Sequence, residues 1–390
     1  MPNIITITGP SGSGKSIILK MIEEVNSNYH ILPKYTTRAR RKDDDDSIIN
    51  VSKLPKNCDY SYTQYGEEYG FSSNQIYDFL IKGKKPVIII NDQKVLEALH
   101  EKYGSSMRSY FIHREKPSIK RLIEINNSRG VTDSDVIKER FEVAKNIYGM
   151  YTDEIQLFDS IILNTGSLEE TKQIVKRLFE EHINENHRNP ILEGNKIFII
   201  SGNPGSGKDY IVKAAEKLGC MQIRKHTSRV RNPNDGNEMI CSDDSDFDLN
   251  GCDLKYKNYG KTEYGIKTQE IWKNLIFGKG NQVLVCSDIE TIKRLKLIFG
   301  ENVVSLYVHS DITPDEYLAQ EAKAESDDEY IRQRIIGFKN AHRNYANNIE
   351  LYDKCLIFAD DRRELLRQFA GIFGMKIKEK TMDKKGKEHD

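Results

Sequence analysis

The sequence predicts an α/β chain of two consecutive domains of the same kind, each a parallel sheet flanked by helices. Two observations carry that expectation. Short apolar runs (IITIT, PVIIIND, SYFIH and SIILN, then KIFIIS, QVLVCSD, VVSLYVH and KCLIFA) alternate with helical patterns, and buried strands separated by helices pair in parallel. The same ordered set of segments also occurs twice. ITITGPSGSGKS returns as FIISGNPGSGKD, YTTRARR as HTSRVRN, CDYSYTQYGEEYG as CDLKYKNYGKTEYG, GKKPVIIIND as GKGNQVLVCSD and TDSDVIKER as SDDEYIRQR. The period of about 194 residues is the size of a domain, not of a solenoid repeat.

Composition agrees with this reading. A chain of 390 residues, 38% hydrophobic and 30% charged, is long enough for two cores and too apolar to stay unfolded. A formal net charge of +0 sets up no overall basic field for nucleic acid or an anionic membrane. No apolar run approaches the ~18 residues of a membrane span, and MPNIITITGP shows no basic region or cleavage site of a signal peptide. Six cysteines without a C-x-x-C pair read as free thiols in a reducing cytoplasm. The first domain is expected over residues 1–184, closing on the amphipathic LEETKQIVKRLFEEHI, with a polar linker over 185–194 and a second domain over 195–375. The charged stretch 376–390 has no apolar face and is expected to be a disordered tail.

The chemistry begins at the glycine loops. Gly9-Pro10-Ser11-Gly12-Ser13-Gly14-Lys15-Ser16 is a complete G-x-x-x-x-G-K-[ST] phosphate loop between a strand and a helix. Its glycines let backbone N–H groups converge on phosphate, and the helix N-terminus adds its positive dipole end. Lys15 is expected on the β- and γ-phosphates of ATP and the Ser16 hydroxyl on Mg²⁺. The second loop keeps Gly202, Gly205, Ser206, Gly207 and Lys208 but ends in Asp209. A carboxylate can bind Mg²⁺ yet adds negative charge beside a triphosphate, so an altered working site and a decayed loop both remain open.

The order phosphate loop, T-T-R-x-x-R, Y-G, apolar strand, R-G-T-D-type lid and Y-D-x-x-I-x-N resembles the guanylate kinase family in both halves. That resemblance implies two tandem P-loop NTPase domains, each with a small substrate-binding subdomain and a lid. It places Arg38, Arg41 and Tyr69 on the acceptor's phosphate, and Arg129 and Arg140, with Arg121 a weaker third, on the transferred phosphoryl group. The chemistry fits independently, because guanidinium forks match the oxygens of a crowded phosphate cluster. In the second half Arg229, Tyr264, Arg332 and Arg334 remain. Lys323-Ala324 replaces Arg129-Gly130, and Phe358 replaces Asn164.

Departures from the family concern the acceptor. Tyr60 and Leu254 stand where the family's guanine-reading glutamate is, Phe71 and Ile266 replace the serine after Y-G, and Lys34 replaces the serine two before T-T-R. A G-K-D loop and an apolar residue after Y-G also resemble ribose 1,5-bisphosphate phosphokinases. Both features argue for an acceptor other than GMP. Asp59 and Asp253 precede the altered position as possible binders of hydroxyls or amines. The shared Tyr62-x-x-Tyr65 and Tyr256-x-x-Tyr259 read either as hairpin packing or as a stacking wall. Asp92 and Asp288, at the carboxyl end of a strand, read either as Mg²⁺ or acceptor ligands or as caps of the next helix. The Asp43–Asp46 run reads as a solvated loop.

The expected function is phosphoryl transfer from Mg²⁺-ATP to a nucleoside monophosphate or a phosphorylated sugar, with the first domain better equipped. The alternative is a nucleotide-dependent switch or scaffold, which has no need of the cation set Lys15, Arg38, Arg129 and Arg140.

Overall fold

In a computed structural model of the chain, residues 3–40, 44–127, 133–180, 192–231, 235–236, 238–258, 262–278, 280–313, 316–319, 328–359 and 361–374 are described. The linker expected within 185–194 lies largely outside these residues and the tail 376–390 wholly so. The chain divides into two units, Met1–Arg188 and Asn189–Asp390.

The first unit is organised by β1 (Ile4–Thr8), whose five residues are all buried. It is central because a strand buried along its whole length needs a covered face on both sides. Parallel partners flank it: β2 (Tyr29–Ile31), β7 (Lys85–Ile89), β8 (Met107–His113) and β9 (Ser160–Leu163) complete a sheet of order β2-β7-β1-β8-β9. Helices α1 (Lys15–Val25), α3 (Gln93–Tyr103) and α6 (Leu168–Phe179) turn Ile18, Leu96, Leu99, Ile174 and Leu178 into the core. A stack of Phe111 on Tyr151 at 4.6 Å fills the core beside β9.

A second, smaller sheet stands apart from the parallel one. Strands β3 (Lys34–Thr36), β4 (Ile48–Asn50), β5 (Tyr60–Gln64) and β6 (Glu67–Phe71) run in the order β4-β3-β6-β5, with β5 and β6 an antiparallel hairpin. The hairpin turns at Tyr65-Gly66, both with positive φ (56° and 71°), the geometry of a two-residue turn matched to strand twist. Helix α2 (Ser73–Ile81) follows and opens on a capping box of Ser72 and Gln75. Helices α4 (Ile119–Asn127) and α5 (Ser134–Asp153) pack through Leu122, Ile137, Phe141 and Ala144, where the sequence places the lid.

The second unit repeats this plan strand for strand. Its parallel sheet has the order β11 (Met221–Gln222), β16 (Gln282–Val285), β10 (Ile197–Gly202), β17 (Val303–Ser310), β18 (Lys354–Phe358). Its small sheet joins β13 (Met239–Cys241), β12 (Lys225–Thr227), β15 (Thr262–Ile266) and β14 (Leu254–Asn258). Even single contacts recur: Asp159 accepts the Ser109 N–H at 2.8 Å, and Asp353 accepts that of Ser305 at 2.7 Å. Helix α7 (Lys208–Lys217) follows the second glycine loop, α8 (Thr268–Ile276) follows the hairpin and α9 (Ile289–Phe299) follows β16. All six thiols are free, and five are buried. Among the described residues no helix is long and apolar enough to cross a membrane.

Candidate active site

The first glycine loop leaves β1 and enters α1 through Gly12 (φ 84°) and Gly14 (φ 93°), left-handed conformations that only glycine adopts without strain. Gly14 also has no room for a side chain, since an added Cβ would lie 2.3 Å from Asn164 Nδ2. That amide donates to the Ser13 carbonyl at 2.9 Å and fixes the loop to the end of β9. Lys15 folds back over the loop, its Nζ 2.6 Å from the Gly9 carbonyl and 2.8 Å from that of Pro10. The Ser13 hydroxyl is buried and makes no hydrogen bond. An orphaned buried hydroxyl beside an ammonium folded over the loop fits a polyanion, so the loop suits the phosphates of ATP. Ser11 and Ser16 complete it, with Ser16 exposed at the start of α1.

The second loop keeps this geometry. Gly202, Gly205 and Gly207 have φ of 145°, 72° and 79°, Lys208 Nζ lies 3.1 Å from the Gly202 carbonyl, and the Ser206 hydroxyl is again buried without a partner. What differs is the support. Phe358 packs against Gly207 in place of the amide of Asn164. Asp209 is exposed in the first turn of α7.

The small sheet carries the other half of the site. Tyr62 and Tyr69 are directly paired across the hairpin and stack at 5.4 Å, 14° apart; Tyr256 and Tyr264 do the same at 5.3 Å and 15°. Of the two readings offered for Tyr62, Tyr65, Tyr256 and Tyr259, hairpin packing is what the rings of Tyr62 and Tyr256 do; Tyr65 stands at the turn beside Arg140, and Tyr259 lies outside the described residues. Lys34 leans on this pair, its Nζ 3.3 Å from the Tyr62 hydroxyl and 5.3 Å from the Tyr69 ring centre. Burial lowers its pKa to about 8. Lys225 occupies the same place in the second unit, 5.7 Å from the Tyr264 ring centre, with its pKa also lowered by burial. The sequence reading noted Lys34 as a departure and passed over Lys225; the matched spacing of both lysines ahead of Arg38 and Arg229 was the signal.

Arg38 already has a counter-ion. Its guanidinium pairs with Asp44, both side chains nearly buried. Arg229 pairs with Asp235 in the same way, and that bond raises the arginine's pKa. This corrects the expectation for the acidic run: Asp44 is a buried counter-ion rather than a solvated residue. Asp59 and Asp253 also differ from expectation. Asp59 accepts the Ser73 N–H at 2.6 Å, and Asp253 accepts that of Thr268 at 2.8 Å, so both carboxylates tie the hairpin to the next helix instead of facing a ligand. Asp92 and Asp288 cap α3 and α9 through the N–H groups of Val95 and Thr291. Asp92 is still close enough to help raise the Tyr62 pKa, after burial.

Arg140 bonds to Asn126 of α4 and lies 5.9 Å from the Tyr65 ring centre, joining the lid helices to the hairpin tip. Arg121 is spent on Glu115 and Glu124. Arg332 is exposed. Arg41, Arg129 and the side chain of Arg334 lie outside the described residues. In the second unit a cleft of about 1540 Å³ is lined by Lys208 and Asp209 from the loop and by Lys225, Arg229, Tyr256 and Tyr264 from the small sheet.

A glycine loop with its lysine at the carboxyl edge of a parallel sheet, facing a cationic subdomain, defines a P-loop kinase. Residues 1–182 match the family model described as guanylate kinase. The chain is 25% identical over 203 residues to guanylate kinase 2, chloroplastic/mitochondrial, of Oryza sativa subsp. japonica, covering 49% of this chain and 68% of that one. It is 29% identical over 170 residues to guanylate kinase of Chlorobium chlorochromatii, covering 42% and 87%. The crystal structure of guanylate kinase from Anaplasma phagocytophilum aligns with a TM-score of 0.33 and 16% identity, over 46% and 85%. Over residues 1–182 the chain is guanylate kinase-like, and with that an ATP-dependent nucleotide kinase whose cofactors are ATP and Mg²⁺.

Proposed function

We propose that the chain is a tandem kinase: two guanylate kinase-like units that transfer the γ-phosphoryl group of ATP to a nucleoside monophosphate or a phosphorylated sugar, with the first unit the more competent. The observation that supports it is the meeting, on one cleft of the second unit, of a phosphate loop and an arginine–tyrosine–lysine cluster; the first unit has the corresponding residues in its sequence. Lys15 and the loop amides would hold the β- and γ-phosphates, and Mg²⁺, held by Ser16, would neutralise charge on them. Arg38 and Tyr69 would grip the acceptor's phosphate, and Arg140 would approach the transferred group as the lid closes. In the second unit Lys208, Asp209, Arg229, Tyr264 and Arg334 take these places. Transfer of this kind needs positioning and cations, with no covalent enzyme intermediate. A cytoplasmic location suits the free thiols.

GMP is a poor acceptor on this reading. Tyr60 is 6% exposed and stacks on Phe71 at 5.1 Å, and Leu254 is 4% exposed, so neither position offers guanine a carboxylate. The test is a panel of nucleoside monophosphates and phosphosugars, with ATP consumption and product mass measured. Phosphorylation of none of them, or efficient GDP formation at micromolar GMP, would overturn the respective part of the proposal.

A further inference from the structure

The second residue of each glycine loop is fixed in a different way. In the first loop it is Pro10, whose ring sets its own backbone φ. In the second it is Asn203, which lacks that constraint and is 2% exposed. Its side-chain oxygen instead accepts the hydroxyl of Tyr307, which stands on β17 and is 1% exposed. Both ends of this bond differ between the units. β1 and β10 lie in the same register on their neighbours, with Thr8 opposite Phe111 and Ser201 opposite Tyr307. The first unit thus has a proline and a phenyl ring where the second has an amide and a phenol.

Packing does not call for the hydroxyl. Phe111 stacks on Tyr151 at 4.6 Å and Tyr307 on Tyr345 at 4.4 Å, so a phenyl ring fills this space. A buried hydroxyl is a cost unless it is hydrogen-bonded, and that of Tyr307 is spent on the loop. Asn203 in turn meets the rest of the cradle. Its carbonyl accepts from Lys208 Nζ, and from the Ser206 N–H at 3.2 Å. A hydrogen-bonded line therefore runs from the sheet through Tyr307 and Asn203 to the loop's lysine, and Tyr307 and Lys208 line one cleft. The first loop takes its side-chain tie from β9 through Asn164. Phe358 has no polar group to give at that place, and the second loop takes its tie from β17.

On the reading that the second loop binds nucleotide, we propose that Tyr307 is a positioning residue of that site: its hydroxyl holds Asn203, and through it Lys208 and the loop backbone, in the shape that takes the triphosphate. The second loop is then a working nucleotide site with a support of its own, not a decayed copy of the first.

The experiment is calorimetric titration of the full chain carrying Lys15→Met, which silences the first loop, with a non-hydrolysable ATP analogue and Mg²⁺. Tyr307→Phe, Asn203→Ala and the two together are compared in that background. Tyr307→Phe keeps the ring that the first unit already has at this place, so the fold has no reason to fail. The expected result is a loss of affinity of about fivefold or more in each single variant, the scale of one buried hydrogen bond. The double variant should bind no more weakly than Asn203→Ala alone, because both substitutions break the same bond. Unchanged affinity in Tyr307→Phe overturns the proposal. So does an equal effect of Tyr307→Phe with and without Asn203→Ala, which would mean that the hydroxyl does not act through the loop. Melting curves without nucleotide separate positioning from packing: a lower melting temperature with unaltered affinity makes Tyr307 a core residue only. If the Lys15→Met chain binds no analogue at all, the nucleotide-site reading itself fails and takes this inference with it, whereas binding that ignores Tyr307 removes the inference alone.

Discussion

Asn164 donates its side-chain amide to the Ser13 carbonyl at 2.9 Å, and in the second unit Phe358 lies at the equivalent place against Gly207. At this position the first loop is held to the end of β9 by a hydrogen bond, whereas the second rests against a ring. Thr171 Oγ1 donates to Asn164 Oδ1 at 3.2 Å and sets which way the amide points. Asn164→Ala removes one such bond, about 1 kcal/mol, and should weaken ATP binding to the first unit roughly fivefold. Nucleotide titration of the full chain with the second loop disabled by Lys208→Met would measure it. Unchanged affinity would mean that the loop holds its shape without the tie.

The Arg38–Asp44 pair makes a prediction of opposite kind. With side chains 10% and 6% exposed, the arginine depends on its counter-ion until a phosphate arrives. Removing one partner of a buried pair typically costs ~3–5 kcal/mol because a charge is left unmatched. Asp44→Asn should lower the melting temperature of the first unit, and a phosphate-bearing acceptor should restore much of the loss. Scanning calorimetry with and without acceptor decides it; a deficit that no acceptor reduces would assign Asp44 a purely structural role.

The sequence was most informative where a motif is continuous. The phosphate loop, the alternation of strands and the internal repeat are local patterns, and Gly12, Gly14 and Lys15 have the geometry the motif demands. Asp59 was misjudged because a carboxylate beside a ligand position and one capping a helix look alike until the chain folds back on Ser73. Asp44 was hidden inside a run of identical residues, and nothing in that run marks it as the one that pairs with Arg38. Lys34 and Lys225 needed the hairpin's register, which alone shows that Tyr62 and Tyr69 form one surface.

Lys34 should make the protein less stable than it could be at neutral pH. Its folded pKa, about 8, lies below the ordinary 10.5 because burial disfavours the ammonium and Arg38 opposes it, although Tyr69 acts the other way. Between pH 8 and 10.5 the unfolded chain therefore holds more protons than the folded one, and this group's contribution to stability rises with pH across that window. Below pH 8 the full penalty applies. Lys34→Met should accordingly raise the melting temperature most below pH 8, with the gain shrinking toward pH 10.5. Melting curves of both proteins at pH 7, 9 and 10.5 test this; a gain independent of pH would point to packing instead.

The two units should be unequal in turnover while similar in nucleotide binding. Both lysines fold onto their loop carbonyls and both loops bury an unpartnered serine hydroxyl, so the phosphate cradle is common to them. The transfer machinery is not. Asp209 replaces the hydroxyl of Ser16, Lys323 stands where Arg129 stands in the first unit, and Phe358 replaces Asn164. On the proposed scheme these changes touch metal coordination, the lid cation and loop support separately, so one further substitution would not restore all three. Loss of an arginine that stabilises the transferring phosphoryl group lowers rates by up to ~10³–10⁵-fold where such a residue has been removed. In the full chain, Lys15→Met should remove most acceptor-dependent ATP consumption and leave one nucleotide site, whereas Lys208→Met should remove a nucleotide site with little change in turnover. Equilibrium binding of a non-hydrolysable ATP analogue counts the sites, and coupled assays follow turnover in the same preparations. Equal losses from the two variants would make the units equivalent. Activity toward a different acceptor that only Lys208→Met abolishes would show that the second unit has specialised.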